Sequence, residues 1–348
     1  LALEAFFEVA QATKGDKKQE IPNRASKKDF VRAYSEIGKA DKAYPAFQRV
    51  DGAYAFTMLG ILADHYTEQG KSEKGIYVYQ EMMKLQPQNK NVCLWQYNIA
   101  HLTMSMPGGS NADKVKEIEN LVRLYGALKG KKVMPQSEAQ ECHDNAAAMS
   151  GELARAYHSE SAKTKNAETL AYAEKLYKVY LDVFPDAPDY AQTQYFYAEL
   201  IWSRAASAKR GGLQTERRAH AFTDVVKIGK VEPKLVKEAA YAAVLGWKNA
   251  LNVDPRVKNQ ADKVEDINKD YDKVPPAKPI PPREEKMLAA FDIYINYIKD
   301  PKDDELVGMK FLKANIYRRH NQFDKAIPLF EDILAKHRQH ETAEYAAN

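Results

Sequence analysis

Apolar residues recur three and four positions apart through most of this chain, and the strict alternation that marks β-strands is scarce. The spacing predicts a succession of amphipathic helices separated by short polar turns. Over residues 59–87 the order is Leu59, Leu62, Ala63, Tyr66, Gly70, Gly75, Tyr79, Met82 and Pro87. That is one helix, a turn at 67–72 where Gly70 supplies left-handed backbone, and a second helix through Ile76, Tyr79, Met82, Met83 and Leu85. Ala63 and Gly75 leave room for the two helices to cross closely. A second pair is expected over 92–125, with Leu94, Tyr97, Ala100 and Leu102 on one helix and Val115, Ile118, Val122 and Tyr125 on the other. Asn111 or Asp113 is its expected cap.

A third pair opens over 138–160, where Leu153, Ala154 and Tyr157 repeat the order of Leu62, Ala63 and Tyr66. Its turn, 159–168, is longer than the first, and Ala173, Leu176, Tyr177, Tyr180 and Phe184 follow on the second helix. A fourth pair joins 190–204 to a helix through Ala219, Phe222, Val225, Val226 and Ile228, and a further helix covers 239–251. After a helix at 287–298, the last unit reads Phe311, Ala314, Tyr317, Asn321, Phe323, Ala326, Phe330 and Ile333, with Asn321 where the first unit has Gly70.

These offsets resemble those of the tetratricopeptide repeat (TPR) family. The resemblance implies an all-α fold, an α-solenoid of stacked helical hairpins whose inner face is the functional element. It divides the chain into an N-terminal cap or degenerate repeat (1–50), a repeat block (51–252), a charged and Pro-rich linker (253–282) and a C-terminal block (283–348) that reads as truncated. In the first region Ile21, Pro22 and Asn23 are expected to break a patch of Phe6, Phe7, Val9 and Ala10 from one of Phe30, Val31, Tyr34 and Ile37. The prolines of 274–282 favour an extended spacer or wrapping segment. With its long inserts the chain also resembles the repeat scaffolds of bacterial envelope and motility machinery.

Charge narrows the partner class. The 52 basic and 48 acidic residues leave a net charge of +4, so nucleic acid is not expected as a partner. One local excess, Arg204, Lys209, Arg210, Arg217 and Arg218 against Glu216, reads as a solvated loop and helix start. The two cysteines, Cys93 and Cys142, fall in separate helices without Cys-x-x-Cys spacing. They are expected as small buried hydrophobes, and whether the fold bridges them is open. No apolar run reaches the roughly 18 residues of a membrane span. The first residue is Leu1 rather than Met, which leaves room for a removed leader and puts a periplasmic or envelope location slightly ahead of a cytoplasmic one.

No phosphate-binding glycine loop, nucleophile elbow, His-Glu-x-x-His pair or dinucleotide motif occurs, so an enzyme is not expected, nor a cofactor or resident metal. Glu141, Cys142, His143 and Asp144 are adjacent on a helix, point in different directions, and read as helical surface beside one buried cysteine. His337, His340 and Glu341 read as adventitious at most. The resemblance instead points to first-helix side chains flanking the small residue: Asp64 and Thr67, Tyr97 and His101, Arg155 and His158, Glu199 and Trp202, and Asn315, Arg318 and Arg319. Mixed polar and aromatic groups suit a peptide with charge and apolar anchors. A carboxylate clamp of the family's kind would need a lysine where Phe311 stands. The expected function is a non-catalytic adaptor for a protein or peptide partner, with homo-oligomerisation open. The rival expectations are an accessory protein with a small-ligand cleft and a self-associating part of an envelope machine. Replacing Ala63 by Leu should overpack the first crossing and cost about 1 to 3 kcal/mol, seen as a lower melting midpoint.

Overall fold

The chain is described from a computed structural model, which covers residues 2–131, 134–206, 212–251, 274–298, 300 and 302–347. Among the described residues all regular structure is helical. The N-terminal helices are α1 (Ala2–Ala12), α2 (Glu20–Ile37), α3 (Ala43–Asp51), α4 (Ala55–Glu68), α5 (Ser72–Leu85) and α6 (Val92–Ser105). Then follow α7 (Asn111–Leu128), α8 (Gln136–Thr164), α9 (Ala167–Val183), α10 (Tyr190–Ala206) and α11 (Gly212–Ile228). The last are α12 (Pro233–Leu251), α13 (Pro282–Tyr297), α14 (Asp304–Arg319), α15 (Phe323–Lys336) and α16 (Glu341–Ala347). They form two compact units, Leu1–Ala187 and Pro188–Asn348.

In the first unit each helix from α4 to α8 packs on its successor, and α6 and α7 also touch the next helix but one, α8 and α9. The α4–α5 pair is held as its sequence suggests. Ala63 and Tyr66 are fully buried. A Cβ on Gly75 would stand 3.0 Å from Leu102 and 3.7 Å from the Tyr66 Cβ, so this glycine lets α5 approach α4 and α6 together. The helix ends at Gly70, with φ +66°. There Lys71 N–H donates to the Tyr66 carbonyl at 2.8 Å and Gly70 N–H to the Thr67 carbonyl at 3.1 Å.

The last hairpin, α14–α15, repeats this end group for group. Asn321 has φ +55°, Gln322 N–H donates to the Tyr317 carbonyl at 3.0 Å, and Asn321 N–H donates to the Arg318 carbonyl at 3.0 Å. A lysine of the second helix lies over the tyrosine in both, Lys74 over Tyr66 and Lys325 over Tyr317, each at 5.5 Å from the ring centroid.

Several expected boundaries move. Residues 20–37 form one helix, so Ile21, Pro22 and Asn23 are its first turn rather than a break; a proline so near a helix start removes an N–H that would have no intrahelical partner. Ile21 and Ile37 are 84% and 76% exposed, outside the patch expected to contain Ile37. The cap of α7 is Ser110, whose hydroxyl accepts from Asp113 N–H at 3.1 Å and donates to the Asp113 carboxylate at 2.6 Å. The longer third turn is not a loop. α8 continues to Thr164, left-handed Lys165 ends it, and Asn166 caps α9. The inserted residues thus add about one helical turn to each arm.

Cys93 on α6 and Cys142 on α8 are joined by a disulfide, with Cα atoms 5.8 Å apart. Both are buried, as expected for small hydrophobes, but as one covalent crosslink. Near the N-terminus, buried Lys27 of α2 pairs with Asp51 of α3 at 2.5 Å and lies over the Tyr54 ring at 4.9 Å. Burial pushes the Asp51 carboxyl up, and the Lys27 contact outweighs it and leaves the group below its usual range.

In the second unit α10 through α16 pack in chain order; α10 to α14 share a core of Phe222, Trp247, Met287, Phe291, Tyr294 and their neighbours, and Val307, Ile333 and Ala343 form a smaller one with α15 and α16. Lys209, Arg210 and most of the charged linker, 252–273, lie outside the described residues. The proline segment 274–281 is non-helical and crosses the α14–α15 turn. Lys278 N–H donates to the His320 carbonyl at 2.8 Å. The Asn321 amide donates to the Pro276 carbonyl at 3.1 Å and the Gln322 amide to the Lys278 carbonyl at 3.0 Å. Residues 276–278 thus lie against that turn.

Asp303 caps α14. It accepts from Leu306 N–H at 2.9 Å and from the Tyr294 hydroxyl at 3.0 Å, and it pairs with Lys237. Burial raises the Asp303 carboxyl, but Lys237 and the two hydrogen bonds outweigh it and hold the group below its ordinary 3.8. A depressed carboxyl contributes stability that is complete above the ordinary value and lost as pH falls through the folded-state value. Asp303→Asn is expected to cost about 2 kcal/mol at neutral pH and to flatten the fall in melting midpoint between about pH 5 and pH 2.

Candidate functional site

The candidate side chains project from the first helices of their pairs, and a tyrosine meets them in three cases. In the first pair, Tyr79 reaches back from α5. Its hydroxyl donates to the Asp64 carboxylate at 3.0 Å and lies 3.4 Å from the Thr67 hydroxyl. Thr67 itself donates to the Ala63 carbonyl at 2.9 Å. Burial, with Asp64 nearby, raises the Tyr79 hydroxyl to about 12, so it stays a neutral donor. Asp64 is exposed and Thr67 half-buried, so both keep an outward side while anchoring the hairpin.

The third pair uses the same construction one residue after its own tyrosine. His158 follows Tyr157 as Thr67 follows Tyr66, and its Nδ1 lies 3.4 Å from the Tyr177 hydroxyl, the rings edge to face. Burial lowers the His158 imidazole below its ordinary value, which keeps it neutral around pH 7. Arg155 is half-buried, and a Cβ on Gly151 would stand 3.2 Å from its Nη1 and 3.4 Å from the Tyr180 ring. On α6, half-buried Tyr97 and exposed His101 lie with ring centroids 6.1 Å apart.

In the second unit Glu199 is half-buried near Tyr195, whose hydroxyl donates to the Glu238 carboxylate at 3.1 Å. Burial raises the Glu199 carboxyl and the Glu238 charge raises it further, against the opposing Tyr195 hydrogen bond. Trp202 packs edge to face on Phe222, with the Arg218 guanidinium 5.8 Å over its ring. Arg217 donates to the Tyr197 hydroxyl at 2.8 Å. The described part of the basic stretch thus lies on α10 aromatics. On α14, Arg318 Nε donates to the Asn315 side-chain oxygen at 3.2 Å, and Arg319 is 3.9 Å from Glu284.

Asp64 and Thr67 share Tyr79, Tyr97 and His101 share one helix face, and Asn315 and Arg318 are bonded to each other. The buried tyrosines 79, 177 and 195, with Glu238, are the partners of these candidate side chains that first-helix spacing does not point to. Tyr79 and Tyr177 were both legible as second-helix core positions, but their hydroxyl contacts were not.

The other two clusters resolve separately. His143 is buried, not surface. It sits edge-on to Tyr125 and Phe184, with Nδ1 2.8 Å from Asp144 and Nε2 3.6 Å from Asp186. Its hydrogen bond holds the Asp144 carboxyl below the usual range. His337 is also buried, 3.4 Å from Lys310 Nζ, and His340 accepts from Thr342 N–H. Among the described residues no group of three or more His, Cys, Asp or Glu side chains converges as around a metal ion, and no helix is long and apolar enough to cross a membrane. A cleft of about 110 Å³ lies beside the disulfide and an open depression of about 570 Å³ between α15 and α16; no candidate residue lines either.

Compared with known proteins, the chain matches no family model and aligns significantly with no curated protein.

A carboxyl raised on folding gives stability that is full below its ordinary value and lost as pH rises through the folded-state value. Glu199→Gln is therefore expected to stabilise the protein at pH 7 by up to about 1 kcal/mol, solvent screening included. Near pH 4 it should change the melting midpoint little.

Proposed function

We propose that this chain is a non-catalytic protein-binding scaffold of TPR-like hairpins, each unit presenting first-helix side chains to an extended or helical peptide. The observation that carries the reading is the recurrence at α4–α5 and α14–α15 of one construction. It comprises a buried small residue, a tyrosine, a left-handed turn residue, the same two backbone bonds and a lysine over the ring. A chain that rebuilds one hairpin at distant positions is suited to stacking, and stacking fixes a long surface before a partner arrives. That lowers the ordering cost of binding.

The chemistry of the candidate faces supports a mixed partner. Asp64, Tyr97 and His101 in the first unit offer charge, an aromatic edge and hydrogen bonding. Arg318 and Arg319 in the second offer cations that suit an acidic or carboxylate-bearing peptide. A location in a bacterial envelope assembly belongs to this proposal on resemblance alone.

The test is affinity capture with the full chain as bait, followed by calorimetric titration of the captured partner. Changing Arg155, Arg318 and Arg319 together to Ala should weaken binding at least about tenfold, or roughly 1.4 kcal/mol. Unchanged affinity in a variant with an unchanged melting curve would remove these side chains from the binding surface.

A further inference from the structure

The sequence holds two cysteines in 348 residues, and the fold brings them together from helices with α7 between them in sequence. Their Cα separation of 5.8 Å lies within the range of about 4.4 to 6.8 Å that a disulfide spans. Each is 3% exposed. Lys90, in the turn that leads into α6, pairs with Glu138 of α8 at 3.1 Å, and both line the small cleft that Cys93 and Cys142 also line. A disulfide that cycles in catalysis needs an exposed, activated sulfur. Here both sulfurs are covered, the Cys-x-x-Cys spacing is missing, and the sequence contains no third thiol to resolve a mixed disulfide.

We propose that Cys93–Cys142 is a permanent clasp of the working protein, and that the chain therefore matures and acts in an oxidising compartment. Buried crosslinks of this kind persist where thiols are not kept reduced. The oxidant is a carrier of an exchangeable disulfide. The thiolate of one cysteine attacks a carrier sulfur and displaces the other carrier sulfur as a thiol. The second cysteine's thiolate then attacks the first cysteine's sulfur in the mixed disulfide and expels the carrier. Two electrons and two protons pass to the carrier, which leaves as a dithiol. The ring so closed spans a sequence separation of 49 and contains Tyr97 and His101, so part of the candidate face is tied by it.

Two measurements test this on the full chain. Cells that make the protein naturally are quenched in acid, alkylated with a maleimide mass tag before any reduction, and the chain is captured by antibody. No tag before reduction and two tags after it are expected; two tags before reduction would overturn the proposal. In the purified protein, reduction, or Cys93→Ala with Cys142→Ala, should lower the melting midpoint of the first unit by roughly 8 °C or more. A midpoint unchanged within about a degree would refute the clasp even if the bond forms. The tagging result does not depend on whether the variant folds.

Discussion

A helical hairpin carries apolar side chains on more than the face its own two arms bury, and the rest of this structure follows from the need to cover the remainder. α5 illustrates it: Val78, Tyr79 and Met82 are buried, and Gly75 lies against α4 on one side and α6 on the other. One residue without a side chain therefore sets the approach of three helices. The contacts that α6 and α7 make with the next helix but one extend the same requirement along the first unit.

Much of this is legible in the amino-acid sequence, for a physical reason. Helix pairing depends on small residues, a tyrosine and a left-handed turn at fixed offsets, and those residue types are visible as letters. Gly70 and Asn321 carry the turns expected of them, and helices occur where Tyr157, Tyr317 and Val225 placed them. The failures have a common origin in local backbone choices. A proline at 22 reads as a breaker but is harmless in a first turn, and Ser110 won the cap over Asn111 and Asp113 because its hydroxyl reaches Asp113 N–H. The insertion after Tyr157 reads as loop because helix extension leaves no periodic apolar mark on an exposed arm. The disulfide was undecidable from spacing alone, since the approach of Cys93 to Cys142 depends on how α6, α7 and α8 pack.

The candidate faces were legible as positions but not as chemistry. First-helix spacing identifies Asp64, Thr67, His158 and Glu199, yet it is silent on the tyrosines that hold Asp64, Thr67 and His158 and stand beside Glu199. These side chains serve packing and surface at once. Tyr79 buries its ring and donates a hydrogen bond to Asp64, while His158 is kept neutral by burial beside Tyr177. These groups are therefore oriented by the fold itself.

Asn321 shows what a second duty does to a turn residue. Glycine would take the left-handed backbone more easily, as it does at position 70, but it has no amide to offer the Pro276 carbonyl. The end of α14 has given up some conformational ease in return for a tether, so the stop signal of one helix also anchors a chain segment that lies 45 residues earlier.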